Sequence, residues 1–223
     1  MLKSLFENKR AFGENTMTKI KICGITNLED AMLASDLGAD ALGFIFAESP
    51  RRISPKKARK IILSLPPFIA KVGVFVDEEI DVIKEIYPYC GLNLVQLHGN
   101  EKQSYLTALS LPVIKTFRVK DDRILDQIKK WKLRCLLLDA FDSTSSGGTG
   151  KTFDWEIAKM AAPWGRVILS GGLTPSNVIR ALKKVHPYGV DVSSGVEKSP
   201  GKKDREKLKK FIQEVRSWNS QTD

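Results

Sequence analysis

Two side chains that can exchange protons stand at the ends of short apolar runs. Cys23 closes KIKIC (residues 19–23), and Asp139 closes RCLLLD (residues 134–139). A thiolate can accept a proton, and a carboxyl group partly removed from water has a raised pKa and can donate one. Set opposite each other, the two would form a general acid/base pair. Taken alone, Cys23 fits an inert core cysteine and Asp139 a helix cap equally well.

Two glycine-rich loops have the composition of an anion site. Gly171 and Gly172 lie in SGGLTPSN, and Ser193, Ser194 and Gly195 lie in SSGVE. Glycines between a strand and a helix let backbone N–H groups point at an anion. If both loops lie side by side, they predict a phosphorylated substrate. The alternative is that these glycines only make tight turns.

The elements that must position these residues follow from a repeated pattern of apolar runs. Most runs are apolar along their whole length, which is typical of strands buried on both faces of a parallel sheet. A helical segment follows each one, and strand–helix repeated eight times predicts an α/β protein, a single-domain (β/α)8 TIM barrel. The predicted strands are 19–23, 41–46, 70–76, 93–98, 113–119, 134–139, 166–170 and 189–194.

Helix starts carry recognisable signals. Asn27 and Ser54-Pro55 have capping residue types, and Thr174-Pro175 puts a proline in a first turn. Asp77 and Asn100 also precede predicted helices. In a barrel of this type the C-terminal strand ends carry the active site, so Cys23, Arg51, His98, Asp139 and the two glycine loops become candidates together.

The stretch SSGGTGKT, residues 145–152, resembles a nucleotide-binding loop at first sight. Gly150, Lys151 and Thr152 fit the second half of a Walker A motif, but Ser145 stands where its first glycine belongs. The stretch follows Asp139, so it belongs to the loop after the sixth strand. We therefore interpret it as a mobile flap over the substrate.

Length and composition limit the class of protein. A chain of 223 residues with 42% hydrophobic and 28% charged residues matches a globular protein with one sizeable core. No apolar run is long enough to span a bilayer, and residues 1–16 lack the apolar core of a signal peptide. We expect a poorly ordered N-terminal extension (1–17) and one catalytic barrel (18–218), located in the cytoplasm.

Cysteine and histidine usage agrees with a cytoplasmic enzyme without a metal. Cys23, Cys90 and Cys135 are widely separated and odd in number, which favours reduced thiols. His98 and His186 lack metal-ligand spacing, so we expect no metal site. Cys90 and Cys135 are interpreted as structural.

The formal charge of +10 raises the question of nucleic-acid binding. The excess is densest in KSPGKKDREKLKKF (198–211), where acids are interspersed and the helical pattern continues. We interpret this segment as a solvated basic helix. A basic nucleic-acid-binding module stays as the alternative of a different class, but no RNP, zinc-finger or helix-turn-helix signature supports it. We expect neither nucleic acid nor membrane as a partner.

Nine sequence segments together resemble the phosphoribosylanthranilate isomerase family of tryptophan biosynthesis. The resemblance runs from about residue 18 to residue 211. The segments are KICGITNLEDA, GFIF, SPRRIS, VGVFVD, VQLHGNE, LLLDAFD, SGGTGKTFDW, ILSGGLTPSNV and GVDVSSGVEKSPGKKD.

The resemblance implies a reaction and roles for individual residues. The family converts N-(5-phosphoribosyl)anthranilate to 1-(2-carboxyphenylamino)-1-deoxyribulose 5-phosphate by an Amadori rearrangement, without a cofactor. It implies that Cys23 is the general base and Asp139 the general acid, which requires a lowered thiol pKa and a raised carboxyl pKa. Arg51, or its neighbour Arg52, would face the anthranilate carboxylate, and His98 would line the pocket. Members of the family are monomers or homodimers.

A related phosphosugar Amadori isomerase of histidine biosynthesis is the nearest competing prediction. Its larger bisphosphate substrate calls for phosphate sites in both halves of the barrel. Here both glycine-rich loops lie at the seventh and eighth strands, and an arginine faces the other side, which favours the substrate with a single phosphate.

Overall fold

The structure is a computed structural model that describes residues 17–131, 133–140 and 152–221. Eight parallel strands pair in chain order and close into a barrel, with the eighth strand beside the first. This confirms the predicted (β/α)8 barrel. The strands are β1 Lys19–Cys23, β2 Ala41–Ile45, β3 Ala70–Phe75, β4 Leu94–Leu97, β5 Val113–Val119, β6 Cys135–Ala140, β7 Arg166–Leu169 and β8 Gly189–Val192.

A helix follows every strand. After β8 the chain first forms a 3-10 turn, Ser194–Val196, and an antiparallel ribbon of two short strands, β9 Glu197–Ser199 and β10 Lys202–Lys203. The helices are α1 Leu28–Asp36, α2 Pro55–Ile62, α3 Ile80–Cys90, α4 Gln103–Leu109, α5 Ile124–Ile128, α6 Trp155–Ala161, α7 Val178–Val185 and α8 Arg205–Gln221. Among the described residues, no helix is long and apolar enough to span a membrane.

Two predictions lie largely outside the described residues. Of the predicted extension 1–17, the structure describes Met17 alone. Of the predicted flap 145–152, it describes Thr152 alone.

Helix starts were predicted with mixed success. The side chains of Asn27 and Ser54 accept backbone N–H groups at the starts of α1 and α2, as predicted. The expectation that Asp77 and Asn100 begin the next helices is wrong. Asp77 adopts a left-handed φ of 47° and accepts the N–H of Asn100 at 2.7 Å, so it ties two loops together. The helices begin later, at Ile80 and Gln103.

The core has two parts, because a closed parallel sheet buries both of its faces. A large cluster lies between the strands and the surrounding helices and includes Ile22, Phe44 and Leu138. A smaller cluster fills part of the barrel interior, where Val72, Ile114, Leu137 and Ile168 pack together. The continuous apolar runs of the sequence are thus explained by burial on both faces.

Candidate active site

All residues predicted for the site line one cavity at the C-terminal ends of the strands. Its volume is about 730 Å³. Strands β1, β4 and β6 supply the groups that can exchange protons, and the loops after β2, β7 and β8 supply the rest. The predicted residues along its wall are Cys23, Arg51, His98, Asp139, Gly171, Gly172, Ser193, Ser194 and Gly195.

Cys23 is buried at the end of β1, beside the glycine of the neighbouring strand. A methyl group on Gly43 would lie only 2.7 Å from the Cys23 sulfur and 3.1 Å from the Lys21 Nζ, so this glycine makes room for both groups. Burial raises the pKa of the Cys23 thiol, while Lys21 acts to lower it and Asp191 to raise it. The predicted lowering of this pKa is therefore wrong for the structure without substrate, because desolvation is the largest effect.

Asp139 faces the same cavity from β6. One carboxylate oxygen accepts the N–H of Ala140 at 3.0 Å, and the other lies 3.2 Å from the Nε2 of His98. The loop after β7 can pass close to this carboxylate because Gly171 carries no side chain. A Cβ there would lie 2.9 Å from the Asp139 Oδ1 and 2.4 Å from the nitrogen of Ala140.

His98 is held by a short polar chain inside the barrel. The Gln96 amide nitrogen lies 3.1 Å from the His98 Nδ1 and 3.2 Å from the hydroxyl of Thr116. With the amide in this orientation Nδ1 accepts, so the proton of the neutral ring sits on Nε2, toward Asp139. Arg118 donates to the His98 carbonyl at 3.1 Å and fixes the backbone.

Arg51 reaches the cavity from the loop after β2, and Glu197 holds its guanidinium. The Nε atom lies 3.0 Å from both carboxylate oxygens, and one terminal nitrogen donates at 2.8 Å. Burial would raise the pKa of Glu197, but the bonds from Arg51 and Lys203 outweigh it and the pKa is lowered. The Arg52 side chain is 61% exposed and pairs with Glu48 instead, so of the two arginines only Arg51 lines the cavity.

The interpretation of the basic segment 198–211 as a solvated helix is wrong for Lys203, which lies in β10 before the helix begins. Its side chain is buried, and its ammonium donates to the Cys23 carbonyl at 2.6 Å and to Glu197 at 2.9 Å. Burial lowers the pKa of Lys203, while Glu197 opposes that shift. This lysine therefore connects the end of β1 to the group that holds Arg51.

The two glycine-rich loops lie against each other, as predicted. Gly171 and Gly172 both have positive φ, at 81° and 64°. A Cβ on Gly195 would lie 1.9 Å from the carbonyl oxygen of Leu173, so only glycine permits this approach. Within the described part of the chain, the N–H groups of Gly172 and Gly195 donate to no protein acceptor. Such amides can bind an anion.

Sequence reasoning missed the buried charges that support the site. Lys21 and Asp191 form an ion pair of 2.6 Å inside the barrel, and Gln96, Glu197 and Lys203 hold the residues named above. One signal was available: Lys21 and Asp191 interrupt apolar strands, and a charge inside such a strand needs a partner. No group of three or more His, Cys, Asp or Glu side chains in the described residues could hold a metal ion.

The arrangement can perform proton transfer on an anionic substrate. A thiol and a carboxyl group face one cavity from different strands, an arginine lines one wall, and two loops offer unpaired amides on another. Such a site suits a molecule with a phosphate at one end and a second anionic group at the other.

Comparison with known proteins identifies close relatives. A family model described as N-(5'-phosphoribosyl)anthranilate (PRA) isomerase matches residues 20–214. The chain is similar to the N-(5'-phosphoribosyl)anthranilate isomerase of Pelobacter propionicus, with 51% identity over 207 residues that cover 92% of this chain and 99% of the relative.

Solved structures of such isomerases are similar as well. The phosphoribosyl anthranilate isomerase of Thermotoga maritima matches this structure with a TM-score of 0.86 and a sequence identity of 44%. The match covers 90% of this chain and 100% of the Thermotoga chain. Another solved structure is of a phosphoribosyl anthranilate isomerase in complex with reduced 1-(o-carboxyphenylamino)-1-deoxyribulose 5-phosphate. Its TM-score is 0.82 and its sequence identity 42%, and the match covers 90% of this chain and 100% of that chain.

Proposed function

The chain belongs to the N-(5'-phosphoribosyl)anthranilate isomerase family, and on that premise we propose that Cys23 is its general base and Asp139 its general acid. The enzyme converts N-(5'-phosphoribosyl)anthranilate to 1-(2-carboxyphenylamino)-1-deoxyribulose 5-phosphate in tryptophan biosynthesis, an Amadori rearrangement. Substrate and product have the same composition, so the reaction needs proton transfers and one C–O bond cleavage but no external oxidant or reductant. The presence of a thiol on β1 and a carboxyl group on β6, both facing one cavity, carries the assignment of roles.

The proposed steps use these two groups in turn. Asp139 in its acid form donates a proton to the furanose ring oxygen, the bond from C1′ to that oxygen breaks, and C1′ forms a protonated Schiff base with the anthranilate nitrogen. The Cys23 thiolate then removes the proton from C2′, and the electron pair left on C2′ neutralises the iminium and gives an enolamine. Loss of the C2′ hydroxyl proton and protonation of C1′ complete the ketone. The iminium withdraws the electrons, so the proposed steps use no cofactor.

Substrate binding is assigned to the remaining residues along the cavity wall. Unpaired amides at Gly172 and Gly195 support a phosphate site, which we extend to Gly171, Ser193 and Ser194 in the same two loops. Arg51 uses Nε and one terminal nitrogen on Glu197. In the described residues its other terminal nitrogen makes no hydrogen bond, which supports a contact with the anthranilate carboxylate.

His98 is assigned a substrate contact next to the acid. Its Nε2, 3.2 Å from the Asp139 carboxylate, makes no aligned hydrogen bond within the described residues. We propose that it donates to a substrate oxygen and keeps the carboxyl group of Asp139 turned into the cavity.

The test of the assigned roles is an assay on freshly generated substrate, followed by the loss of anthranilate-type fluorescence. We expect rapid turnover by the wild type and collapse of turnover in Cys23→Ser and Asp139→Asn with the circular dichroism spectrum unchanged. Activity that survives both substitutions would rule out the acid/base pair. A wild type that turns over only the bisphosphate substrate of the histidine-pathway isomerase would overturn the substrate itself.

We also propose that the chain forms a homodimer through the N-terminal end of the barrel. A Thermotoga maritima relative is described as dimeric. Phe68 is 99% exposed and Leu63 71% exposed, both between α2 and β3 at that end. The same end holds a second cavity of about 670 Å³ whose wall includes Val72 and Ile114. A two-fold axis would let Phe68 of each copy enter the cavity of the other.

Sedimentation of the wild type and of Phe68→Ser tests the dimer. We expect a dimer that dissociates in the variant, with turnover retained because the catalytic cavity lies at the opposite end. A wild-type monomer at micromolar concentration would overturn the dimer and leave the catalytic assignment untouched. We further propose a cytoplasmic location, which is supported by Cys23, Cys90 and Cys135 all being free thiols. We also propose that the chain has no nucleic-acid partner.

A further inference from the structure

A buried ion pair inside the barrel takes no part in the proton transfers proposed for Cys23 and Asp139. The Lys21 Nζ and an Asp191 carboxylate oxygen lie 2.6 Å apart, and both side chains are almost fully buried. Asp191 also accepts the hydroxyl of Ser170 at 3.2 Å. Buried ion pairs of this kind often add little stability, because desolvation of two charges offsets their attraction. Stability therefore does not account for the presence of this pair.

The location of the pair connects it to the cysteine. Lys21 and Cys23 are two residues apart on β1, so both side chains point into the barrel. The place where a methyl group on Gly43 would lie is within 3.1 Å of the Lys21 ammonium and 2.7 Å of the Cys23 sulfur. The two atoms thus face the same small volume, and Asp191 approaches the ammonium from β8.

We propose that Lys21 is a positioning residue that acts through Cys23: Asp191 holds its ammonium in place, and the ammonium stabilises the negative charge that forms on the Cys23 sulfur. The inference rests on the proposed role of Cys23 as the general base. Asp191 has two opposing effects. It holds the Lys21 ammonium in place, and its negative charge weakens the stabilisation that the ammonium gives to the Cys23 thiolate.

The electrostatics of the site agree with this division. Burial opposes the charge of Lys21, but Asp191 and Cys23 outweigh burial and raise its pKa, so Lys21 stays protonated. Lys21 and Lys203 lower the pKa of the thiol, while burial and Asp191 raise it. The remaining charged or titratable groups of the cavity wall are Glu48, Arg51, His98 and Asp139.

The test is the pH dependence of Cys23 alkylation by iodoacetamide, followed by peptide mass spectrometry. Because only the thiolate reacts, the rate at pH 8 reports the thiolate fraction. In Lys21→Met we expect the rate at Cys23 to fall about tenfold or more, which corresponds to a thiol pKa raised by at least one unit. In Asp191→Asn we expect the opposite, a faster reaction, because the ammonium is released to the sulfur.

Matched controls separate electrostatics from general damage. Lys19→Met removes a lysine from the same strand whose partner is Asp40 at 3.4 Å, and we expect it to leave the rate at Cys23 unchanged. Cys135, at the other end of the barrel, is measured in the same digests and keeps its own rate. Lys21→Arg retains the charge and lies closer to the wild type than Lys21→Met.

Each outcome decides the inference. An equal alkylation rate in Lys21→Met and the wild type, or a shift of the same sign in Lys21→Met and Asp191→Asn, would overturn it. If Lys21→Met does not fold, a rate in Asp191→Asn no faster than that of the wild type overturns it equally. Full turnover by Cys23→Ser would instead remove the premise that Cys23 is the base, whatever the alkylation rates show.

Discussion

The two ends of the barrel carry cavities of nearly equal volume, about 730 Å³ at the C-terminal end and about 670 Å³ at the N-terminal end. The first is lined by a thiol, a carboxyl group, an imidazole and two glycine-rich loops. The second is lined largely by apolar side chains such as Val72, Leu94 and Ile114. The two cavities therefore differ little in volume. They differ in their polar groups, which converge on the C-terminal cavity and are held there by buried partners.

Two cysteines of the barrel interior show the difference most directly. Burial raises the pKa of Cys135, at the N-terminal end, to about 11, with Arg166 opposing the shift. Burial also raises the pKa of Cys23, but two lysines and one aspartate act on it as well. Cys135 therefore has one opposing charge beside it, whereas the charges around Cys23 act in both directions and make its ionisation adjustable.

The largest expected effect is on kcat/KM, when the cysteine at each end of the barrel is replaced by serine. Cys23→Ser should lower kcat/KM by about a thousandfold, within the range for loss of a general base. Cys135→Ser should leave kcat/KM within roughly a factor of two of the wild type, because Cys135 lines the cavity at the N-terminal end and not the one that holds the proposed reacting groups. Steady-state assays of both variants measure the contrast. Equal losses in the two would mean that the ends are not functionally distinct.

The next largest effect is expected on inhibition by phosphate, when a glycine at each end of the barrel is replaced by alanine. Gly195→Ala forces the loop after β8 away from the Leu173 carbonyl. We expect inorganic phosphate to inhibit the variant about tenfold to a hundredfold less strongly, as for one charged hydrogen bond lost. Gly189→Ala, whose new Cβ would lie 3.2 Å from the Lys19 carbonyl at the N-terminal end, should leave the inhibition constant unchanged. Competitive inhibition assays check both, and unchanged inhibition in Gly195→Ala would remove this loop from the phosphate site.

Substitution of Glu197 tests whether the residue that holds Arg51 matters for substrate binding. Glu197→Gln removes the charge that orients Arg51, so we expect KM to rise about tenfold, the cost of weakening one charge-assisted hydrogen bond. A smaller fall in kcat should accompany it through Lys203 and the Cys23 carbonyl. Glu206→Gln, on the exposed face of α8, is the matched control. A change in kcat with KM unaltered would contradict the proposed contact between Arg51 and the substrate.

The smallest expected effect is on stability in acid. Glu101 is buried against Lys115 at 2.7 Å; burial would raise its pKa, but the hydrogen bond and charge of Lys115 lower it below 4.5. The contribution of Glu101 to the free energy of unfolding is therefore complete above the pKa that it has in the unfolded chain. It is lost as the pH falls through the pKa of Glu101 in the folded protein. Denaturant unfolding from pH 7 to pH 3 should lose stability less steeply in Glu101→Gln. Glu48→Gln, in an exposed pair with Arg52, should keep the wild-type slope.

Much of the catalytic end was predictable, because strand–helix alternation is a local property. Continuous apolar runs gave all eight strands, and parallel strands around a barrel must end at one mouth. From the sequence alone, that rule predicts that Cys23, Asp139, His98 and the glycine loops lie together. The helix starts at Ile80 and Gln103 were missed because Asp77 and Asn100 bond to each other across two loops, which capping preferences do not include.

The sequence by itself determined the barrel, the order of its elements and which residues meet at its mouth, since these depend on periodicity and on residues close in the chain. Only the tertiary structure decided the partners of the buried charges. Lys21 pairs with a residue 170 positions away, and Arg51 with one 146 positions away. It also decided the direction of the Cys23 pKa shift. Desolvation and Coulomb interaction depend on distance and burial in three dimensions, which a linear pattern does not contain.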